Sequence, residues 1–363
     1  MKKFLRIFGI MLGCIVLIFG LFLGYMTLVD YDPPQSEFIA IEGRGETIPD
    51  SAAVFSFVTW NIGYAGLGAQ SDFFFDGGRG VVSPETTVKS YLAGITDFLK
   101  QSEATDFILL QEVDVDSRRS WHTDQTAVIR KAMGDRISSF ALNYDSKFVP
   151  QPLSDPYGKC KGGLLSLTKY KPVSSRRIAL APDAGWPVGL FMLDRCLLEW
   201  RFTLADGKEL VVYNLHLSAY DDGTVKQTQM DTLQHILTRE YAKGNFVVAG
   251  GDWNQSPPEY KSPLPGVAAT VQMNVPDVFP EAGWHWVSDK TLPTNRKLNE
   301  TYTAGKTGID ILDFFLVSPN VEVETVKTED LQFRSSDHQP VRMQIRLKTG
   351  GTAAAAAPHG AGV

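Results

Sequence analysis

The sequence has few cysteines and no surplus of basic residues, and both absences limit the possible functions. Of the three cysteines, Cys14 lies in an apolar N-terminal run, so at most one disulfide can form, between Cys160 and Cys196. Their spacing is not that of metal ligands, and we expect two small core residues. The net charge of −6 argues against a protein that binds nucleic acid mainly by neutralising its phosphates, but does not exclude a nuclease with a small basic groove.

The first thirty residues lack the pattern of a cleaved signal peptide. Their uncharged run, from Ile7 to Val29, is longer than the usual apolar region of such a peptide, and no Ala-x-Ala site follows it. It is long enough to cross a bilayer as a helix, which takes roughly 20 apolar residues. Basic residues precede the run and acidic residues follow it. We therefore predict a signal anchor and transmembrane helix over residues 1–29 of a single-pass cell-membrane protein, with the N-terminus in the cytoplasm and the body extracytoplasmic.

Composition divides the rest of the chain into three segments. Residues 30–52 are rich in Pro, Gly and charge, which predicts a linker. Residues 53–348 alternate strand-like and helix-like patterns, which predicts one α/β domain. Residues 349–363 have low complexity and are predicted to be a disordered tail. We expect the protein to be a monomer.

Within residues 53–348, hydrophobic periodicity predicts two helices and many strands. One helix covers "SPETTVKSYLAGITDFLKQSE", with Ser83 as its N-cap and Pro84 as its first residue. The other covers "TVKQTQMDTLQHILTREYAKG" and stops at Gly244. The strand in "NFVVAGGDWN" is expected to break at its two glycines. The other predicted strands are AVFSFVTWNIG, DFILLQEVD, GGLLSLTKYKPV, LLEWRFTL, KELVVYNLHLSAY, ILDFFLVS and PVRMQIRL.

Polar side chains recur where the predicted strands end. Singly, each has an ordinary explanation, because Asn or Asp at a strand end is usually a turn residue and a lone His is usually a satisfied hydrogen-bonding group. Their repetition at one end of several strands predicts a common site. Its members are Asn61, Glu112, Asn214, His216, Asp252, Asn254, Asp313, Asp337 and His338.

Carboxylates and amides without thiolates favour a hard cation, Mg²⁺ or Mn²⁺ rather than Zn²⁺. Such a metal on Glu112 would neutralise phosphate charge and stabilise a leaving oxygen. Asp252 would orient and deprotonate an attacking water, and Asn254 would donate to a phosphate oxygen without adding charge. His216 and His338 would donate to the charge that develops in a pentacovalent state.

Seven segments, in this order, resemble the endonuclease/exonuclease/phosphatase superfamily, whose fold is that of deoxyribonuclease I. The resemblance spans Thr59 to Val341, nearly the whole domain. It implies a four-layer α/β/β/α sandwich of two mixed sheets flanked by helices, and divalent-metal-dependent hydrolysis of phosphoesters. The matching segments are TWNIG, LLQEVD, KGGLLSLTKYKP, NLHLSAY, GGDWN, ILDFFLVS and SDHQPV.

The resemblance also implies roles for individual residues. Asn61 and Glu112 would bind the metal, with Asp337 close to it, and the roles of Asp252, Asn254 and His216 would be those given above. Asp313 would pair with His338. Asp310, in the same segment "GIDILDFF", is an alternative, but an aspartate followed by aromatic and apolar strand residues fits Asp313 better.

An aromatic, Gly-rich insert, "GYAGLGAQSDFFFDGGRGVVSPE", follows the first of these segments. Its residues Phe73, Phe74 and Phe75 either pack under the loop, which we favour, or contact an apolar substrate or the bilayer. The same two alternatives apply to "GWHWVSD", Gly283 to Asp289.

Three functions are compatible with these patterns. The first is a membrane-anchored, Mg²⁺-dependent phosphodiesterase or phosphatase, acting on a phosphate ester such as a phospholipid head group. The second is an extracellular nuclease, which the acidic balance disfavours, as do Asp114 and Asp116 at positions where some deoxyribonucleases carry a basic residue. The third is a non-catalytic binding module. Decayed members of enzyme families lose a metal-binding or water-activating residue, and none is missing here.

Overall fold

The structure is a computed structural model, which describes residues 1–50, 53–134, 136–219, 223–258, 260–261, 275 and 283–348. The predicted tail, 349–363, and residues 51–52 of the predicted linker lie outside the described residues. The α-helices are α1 (Lys2–Leu28), α2 (Glu85–Gln101), α3 (Gln125–Met133) and α4 (Thr224–Ala242). The strands are β1 (Ser36–Phe38), β2 (Val54–Asn61), β3 (Phe107–Asp114), β4 (Ile137–Val149), β5 (Gly158–Thr168), β6 (Ser174–Ala179), β7 (Cys196–Thr203), β8 (Glu209–His216), β9 (Phe246–Asp252), β10 (His285–Val287), β11 (Asn295–Arg296), β12 (Ile309–Asp310), β13 (Asp313–Val317), β14 (Val321–Thr328) and β15 (Val341–Leu347).

The strands form two large mixed sheets and one small one. The seven-stranded sheet has the order β1-β6-β7-β8-β9-β13-β10, and the six-stranded sheet has the order β14-β15-β2-β3-β5-β4. Each of the two large sheets contains one parallel pair of neighbouring strands, β8 with β9 and β2 with β3. The small sheet pairs β11 with β12.

The two large sheets pack face to face, with helices on their outer sides. Aromatic residues fill the space between them, for example Phe57, Phe107 and Phe315. On the outer side of the six-stranded sheet, α2 buries a stripe of apolar residues, and α4 does the same on the seven-stranded sheet through Leu233 and Leu237. The predicted four-layer α/β/β/α sandwich of two mixed sheets is confirmed.

The start of α2 differs from the prediction. Pro84 is the N-cap residue and Glu85 is the first helical residue. The hydroxyl of Ser83 donates instead to the carbonyl of Gly66 at 2.7 Å, so Ser83 ties the inserted loop to the helix and does not cap it. The predicted end of α4 is correct, because Gly244 has a φ of 86° and its N–H donates to Tyr241.

The N-terminal helix α1 is apolar along its length and exposed on most of its surface. An 18-residue window within it has a mean hydropathy of 2.7, and none of that window is buried against the rest of the chain. Length and composition therefore permit it to cross a membrane, although a signal sequence would have the same properties.

Cys160 and Cys196 are both buried, and neither forms a disulfide bond.

The parallel pairs direct the site residues to one edge of the sandwich. Strands that run parallel end at the same edge of their sheet. Thus β8 and β9 end side by side, with His216 opposite Asp252, and β2 ends beside β3, with Asn61 opposite Gln111. We call this edge, at which β2, β3, β8 and β9 all end, the polar edge.

Candidate active site

Asn61, Glu112 and Asp252 meet at the polar edge, where the two sheets face each other. The Nδ2 of Asn61 donates to Glu112 Oε1 and to Asp252 Oδ2, at 2.9 Å in both cases. Its Oδ1 accepts from the N–H of Gly63 at 2.9 Å. The Asn61 amide is therefore fixed, and it holds together two carboxylates that come from different sheets.

Two of the site residues have an unusual backbone conformation. Glu112 has a φ of 53° and Asn254 has a φ of 48°, the left-handed region that non-glycine residues seldom adopt. Glu112 lies where the register between β3 and β5 shifts, so the irregularity turns its side chain towards Asn61. Such conformations cost about 1–3 kcal/mol each and concentrate at functional sites.

Gly250 and Gly251 lie inside β9, so the prediction that the strand breaks there is wrong. A Cβ on Gly250 would lie 2.4 Å from the ring of Phe315, and one on Gly251 would lie 1.9 Å from the carbonyl oxygen of Leu215. The two glycines therefore permit close packing against β13 and β8. This packing sets the position of Asp252 at the end of the strand.

Two histidines face Asp252 from different elements. His216 Nε2, at the end of β8, lies 3.6 Å from Asp252 Oδ2 and 3.8 Å from Glu112 Oε1. His338 Nε2, in the loop before β15, lies 3.7 Å from the same Asp252 oxygen. Both imidazoles are buried.

His338 has a carboxylate behind its ring. Its Nδ1 lies 2.7 Å from Asp313 Oδ2, whereas Asp310 bonds the hydroxyl of Ser256 and the N–H of Ile311. Asp313 is therefore the partner of His338 in this structure. Together with Asp252, the two form a buried group whose potential ligand atoms all lie within 4.8 Å of one another.

The environments shift the pKa values of the two histidines in opposite directions. Burial disfavours the charged form of His338, but Asp313, Asp252 and Asp337 outweigh it and raise the pKa well above its usual value. Burial lowers the pKa of His216 well below its usual value, and the positive charge of Arg195 adds to the shift. The surroundings thus favour the charged form of His338 and the neutral form of His216.

The carboxylates that surround these histidines repel one another. Burial raises the pKa of Asp337 to about 7 against the opposing charge of His338, and Glu112 adds to the rise. Burial likewise raises the pKa of Asp313 to about 6, with Asp252 adding to it. A divalent cation beside Glu112 and Asp337 would relieve this repulsion. The donor set, which consists of carboxylates and an amide, therefore suits a hard metal ion.

The two remaining predicted residues, Asn254 and Asn214, occupy different surroundings. Asn254 is partly exposed, its N–H donates to Asp252 Oδ1, and its Nδ2 donates one hydrogen to the Leu217 carbonyl at 2.9 Å, which leaves its second hydrogen available. Asn214 is fully buried and accepts from Gln111 Nε2 at 2.7 Å. Asn214 thus connects the sheets beneath the site.

Sequence patterns missed two residues that contact the site. The Nδ2 of Asn295, in β11, lies 3.0 Å from His338 Nε2, so the amide can donate to that nitrogen when it carries no hydrogen. The hydroxyl of Ser336 donates to the Asn61 carbonyl at 2.8 Å and accepts from the N–H of His338. The "SSDH" run could have drawn attention to Ser336. Nothing in the local sequence distinguishes Asn295.

A buried arginine joins the aromatic insert to the segment around Asn295. Arg296 Nη2 donates to the carbonyls of Leu67, Gly68 and Ser71 at 2.8–3.0 Å. Phe73 and Phe74 pack on Tyr157, as the favoured alternative required. Phe75 contacts both of these rings but is 46% exposed, so the expectation does not hold for it. The insert is thus fixed next to the site.

The acidic residues that follow Glu112 are both paired with cations. Asp114 accepts two hydrogen bonds from the buried guanidinium of Arg119, at 2.8 and 2.9 Å. Asp116 pairs with Lys159 and with His122. These two carboxylates therefore add little net negative charge to the surface beside the site.

The comparison with known families agrees with this geometry. The family model described as "Endonuclease/Exonuclease/phosphatase family" matches residues 58–338, a range that contains every residue of the site. The chain belongs to this family. The resemblance inferred from the seven sequence segments is thus confirmed. No match was found among curated proteins.

Solved structures of the endonuclease/exonuclease/phosphatase family align with most of the chain. A member from Beutenbergia cavernae is 18% identical, with a TM-score of 0.58, over 82% of this chain and 72% of its own. One from Bacteroides vulgatus is 17% identical, with a TM-score of 0.52, over 82% and 100%. ANGEL2, a 2′,3′-cyclic phosphatase, is 16% identical, with a TM-score of 0.52, over 86% and 99%. At these identities the likeness establishes the fold alone.

Proposed function

We propose that the protein is a divalent-metal-dependent phosphoester hydrolase, either a phosphodiesterase or a phosphatase. The observation that carries the proposal is the convergence of Asn61, Glu112, His216, His338 and Asp252 within 2.9–3.8 Å contacts at the polar edge. Membership of the endonuclease/exonuclease/phosphatase family supports it. A phosphate ester is the substrate class that this combination of carboxylates, amides and a charged imidazole fits.

Asp252 is proposed to orient the attacking water and accept its proton. One of its oxygens is held by the N–H of Asn254, and the other points towards Asn61 and the two histidines. A carboxylate that is fixed in this way can take a proton without reorienting. The amide of Asn254, beside it, would donate its second hydrogen to a phosphate oxygen.

The two histidines are proposed to contact the phosphate in different protonation states. His338, charged and held by Asp313, would donate to a phosphate oxygen on which negative charge increases. His216, neutral, would donate one hydrogen bond without a full charge. His216 Nδ1 has no hydrogen-bond partner among the residues that the structure describes.

Glu112, Asn61 and Asp337 are the residues proposed to hold the metal, Mg²⁺ or Mn²⁺. When bound, the ion would supply Lewis-acid stabilisation of charge on the phosphate. The raised pKa of Asp337 fits this assignment, because a nearby cation would favour its ionised form.

The helix α1 is proposed to remain as a membrane anchor, with the body outside the cytoplasm and the protein monomeric. The basic residues before the apolar run support this orientation. Contacts of the last turns of α1 with the body support retention, since Met26 is buried and Thr27 accepts a hydrogen bond from Trp186. A cleaved signal peptide would leave these contacts unmade.

The experiment that tests the hydrolase uses the full chain purified in detergent. With Mg²⁺ present, it is assayed on bis-(p-nitrophenyl) phosphate, p-nitrophenyl phosphate, plasmid DNA and phosphatidylcholine vesicles. We expect chelation to abolish hydrolysis, and Mg²⁺ or Mn²⁺ to restore it. Asp252→Asn should lower kcat/KM by about 10²–10⁴-fold, while the exposed control Asp97→Asn on α2 should not change it.

Each outcome has a defined meaning. Hydrolysis that survives both chelation and Asp252→Asn would overturn the proposed metal chemistry. Cleavage of plasmid DNA in preference to the small esters would favour the nuclease alternative. Absence of hydrolysis of every substrate in the wild-type chain would favour the non-catalytic binding module.

A further inference from the structure

The last turns of α1 are packed on the body of the protein. The ring of Phe22 stacks on Phe191, with centroids 6.1 Å apart, and meets Phe148 edge-on at 6.2 Å. Trp186 Nε1 donates to Thr27 Oγ1 at 3.1 Å. The end of the helix is therefore attached to a defined surface and not to a long tether.

Strand register shows that this attachment lies at the polar edge. The chain that follows α1 reaches β6 where Gln35 Nε2 donates to the carbonyl of Ala179, the last residue of β6. Ala179 lies opposite Cys196, the first residue of β7, and the next residue of β7 lies opposite Leu215. Leu215 is the residue before His216 at the end of β8. The chain thus enters the body at the edge that carries the candidate active site.

Exposed apolar side chains lie in the two chain segments that contact the end of α1 through Phe148 and Trp186. Leu153 is 88% exposed, Trp186 68%, Val188 55% and Phe148 38%. We call these four residues the apolar rim. Phe148 and Leu153 lie at the end of β4 and in the β4–β5 connection, and Trp186 and Val188 lie in the β6–β7 connection. The start of β5 pairs with the end of β3, and the end of β6 pairs with the start of β7, which in turn pairs with the end of β8. Both connections therefore lie at the polar edge. Tryptophan and other aromatic residues at such a level are typical of the membrane–water interface.

The length of α1 places the apolar rim at the membrane surface. At 1.5 Å per residue, the uncharged stretch from Ile7 to Met26 is about 30 Å long, which matches the thickness of a hydrocarbon core. If that stretch crosses the core, Phe22 lies just over one helical turn inside its outer boundary, and Thr27 lies at that boundary. Trp186, which contacts Thr27, then lies there as well.

We propose that the apolar rim rests on the bilayer that α1 crosses, so that the polar edge faces the lipid surface and the hydrolase acts on a phosphoester in the head group of a membrane lipid. The inference rests on the proposed hydrolase function and on retention of α1. Asp30 and Asp32 are exposed directly after α1, and their charges disfavour anionic head groups. A zwitterionic phospholipid is therefore the substrate class that the surface fits.

The position of the rim can be measured without any enzymatic assay. The full chain with Cys14→Ser, which leaves only the buried Cys160 and Cys196, is reconstituted in phosphatidylcholine vesicles. A fluorescent probe is attached to Leu153→Cys, to Val188→Cys or, as a control, to Ala205→Cys in the β7–β8 turn at the opposite edge. Lipids that carry a quencher on their acyl chains should quench the first two probes and not the third. Absence of quenching at both rim positions, or equal quenching at all three, would overturn the proposal.

A second measurement tests the substrate. In the double variant Leu153→Asp and Val188→Asp, hydrolysis of phosphatidylcholine in vesicles should fall at least about tenfold, because charged side chains oppose contact with the bilayer. Hydrolysis of soluble bis-(p-nitrophenyl) phosphate should stay within about twofold, and Ala205→Asp should affect neither substrate. Equal loss on both substrates would contradict the proposal. If the wild-type chain cleaves neither phosphatidylcholine nor any soluble ester, the hydrolase proposal fails, while the quenching result still decides the position of the rim.

Discussion

His216 and His338 approach one carboxylate from two regions of the molecule, and the distances are nearly the same. His216 lies at the end of a central strand, 3.6 Å from Asp252, and His338 lies in the loop before the last strand, 3.7 Å away. They differ in what stands behind the ring. His338 has Asp313 at 2.7 Å, whereas His216 has no such partner among the described residues and feels the charge of Arg195.

The comparison shows that distance to the reacting groups does not determine the protonation state of a buried histidine. Both rings lose hydration on burial, which lowers the pKa, and only the carboxylates around His338 reverse the shift. One edge of the sandwich thereby places an imidazole whose charged form is favoured close to one whose neutral form is favoured. A phosphate bound between them would meet one cationic and one neutral donor.

The sharpest test of this difference replaces each histidine by glutamine, which keeps a neutral donor and removes the charge. We expect His338→Gln to lower kcat/KM by about 10²–10³-fold, as for loss of a charge-stabilising donor. His216→Gln should cost only about tenfold, because a neutral hydrogen bond is replaced by another. His235→Gln, exposed on α4, is the matched control. Equal losses at positions 216 and 338 would mean that the two rings do not differ in charge.

A smaller effect is expected from removing the carboxylate behind His338. Asp313→Asn should lower kcat/KM by about 10–100-fold, as for other residues that orient a site residue from behind. Because Asp313 raises the pKa of His338, its loss should also move the alkaline limb of the pH–rate profile to lower pH.

Asp310→Asn is the control for this variant, since Asp310 bonds Ser256 and not the histidine. It should leave the position of the alkaline limb unchanged. If the alkaline limb moves equally in both variants, or in neither, Asp313 is not the carboxylate that raises the pKa of His338.

The smallest effect is on stability, measured as the Tm in EDTA at pH 5.5 to 9. The raised pKa of His338 stabilises the folded state below the unfolded value of about 6.5, and this contribution is lost as pH rises through the higher folded pKa. The lowered pKa of His216 acts in the opposite sense, because below about pH 6.5 the unfolded chain binds a proton that the folded chain does not.

As pH falls, the Tm of His338→Gln should therefore drop relative to wild type, and that of His216→Gln should rise. Each kcal/mol of change in the free energy of unfolding should shift the Tm by about 2–4 °C. Differences that are constant with pH reflect packing and are subtracted. Tm curves that run parallel for both variants would contradict the opposite pKa shifts.

The fold could be predicted from sequence because its defining segments are local. Each of the seven segments joins an apolar strand to a polar end, and both features are visible in a few residues. The strand β4 escaped prediction for the opposite reason. Its buried Ser139 donates to the Ala40 carbonyl and accepts from Trp200 Nε1, partners that lie far away in the chain. Because buried polar residues such as Ser139 interrupt the apolar pattern, and their partners are distant in the sequence, the buried strand is hard to recognise from sequence.

The site residues likewise divide into those that the sequence could predict and those that it could not. Residues at strand ends, such as Glu112 and Asp252, were identified because a strand and its polar end are adjacent in sequence. Asn295 was not, since its only distinction is contact with His338, which comes from another segment. The prediction of Ser83 as an N-cap was wrong because its hydroxyl donates to the carbonyl of Gly66 in the insert. The sequence does not show that these two residues are in contact.

Long-range hydrogen bonds at the site also determine at which stage of folding the site is complete. Ser336 bonds the carbonyl of Asn61, and Trp60 bonds the carbonyl of His338, across separations of 275 and 278 residues. Contacts of such long range carry a large loop-closure cost, which makes them slow to form. A chain that has been synthesised only as far as β13 therefore has Asn61, Glu112 and Asp252 but lacks Asp337 and His338. Hydrolysis would begin only once β15 has paired with β2, so the onset of activity reports the completion of folding.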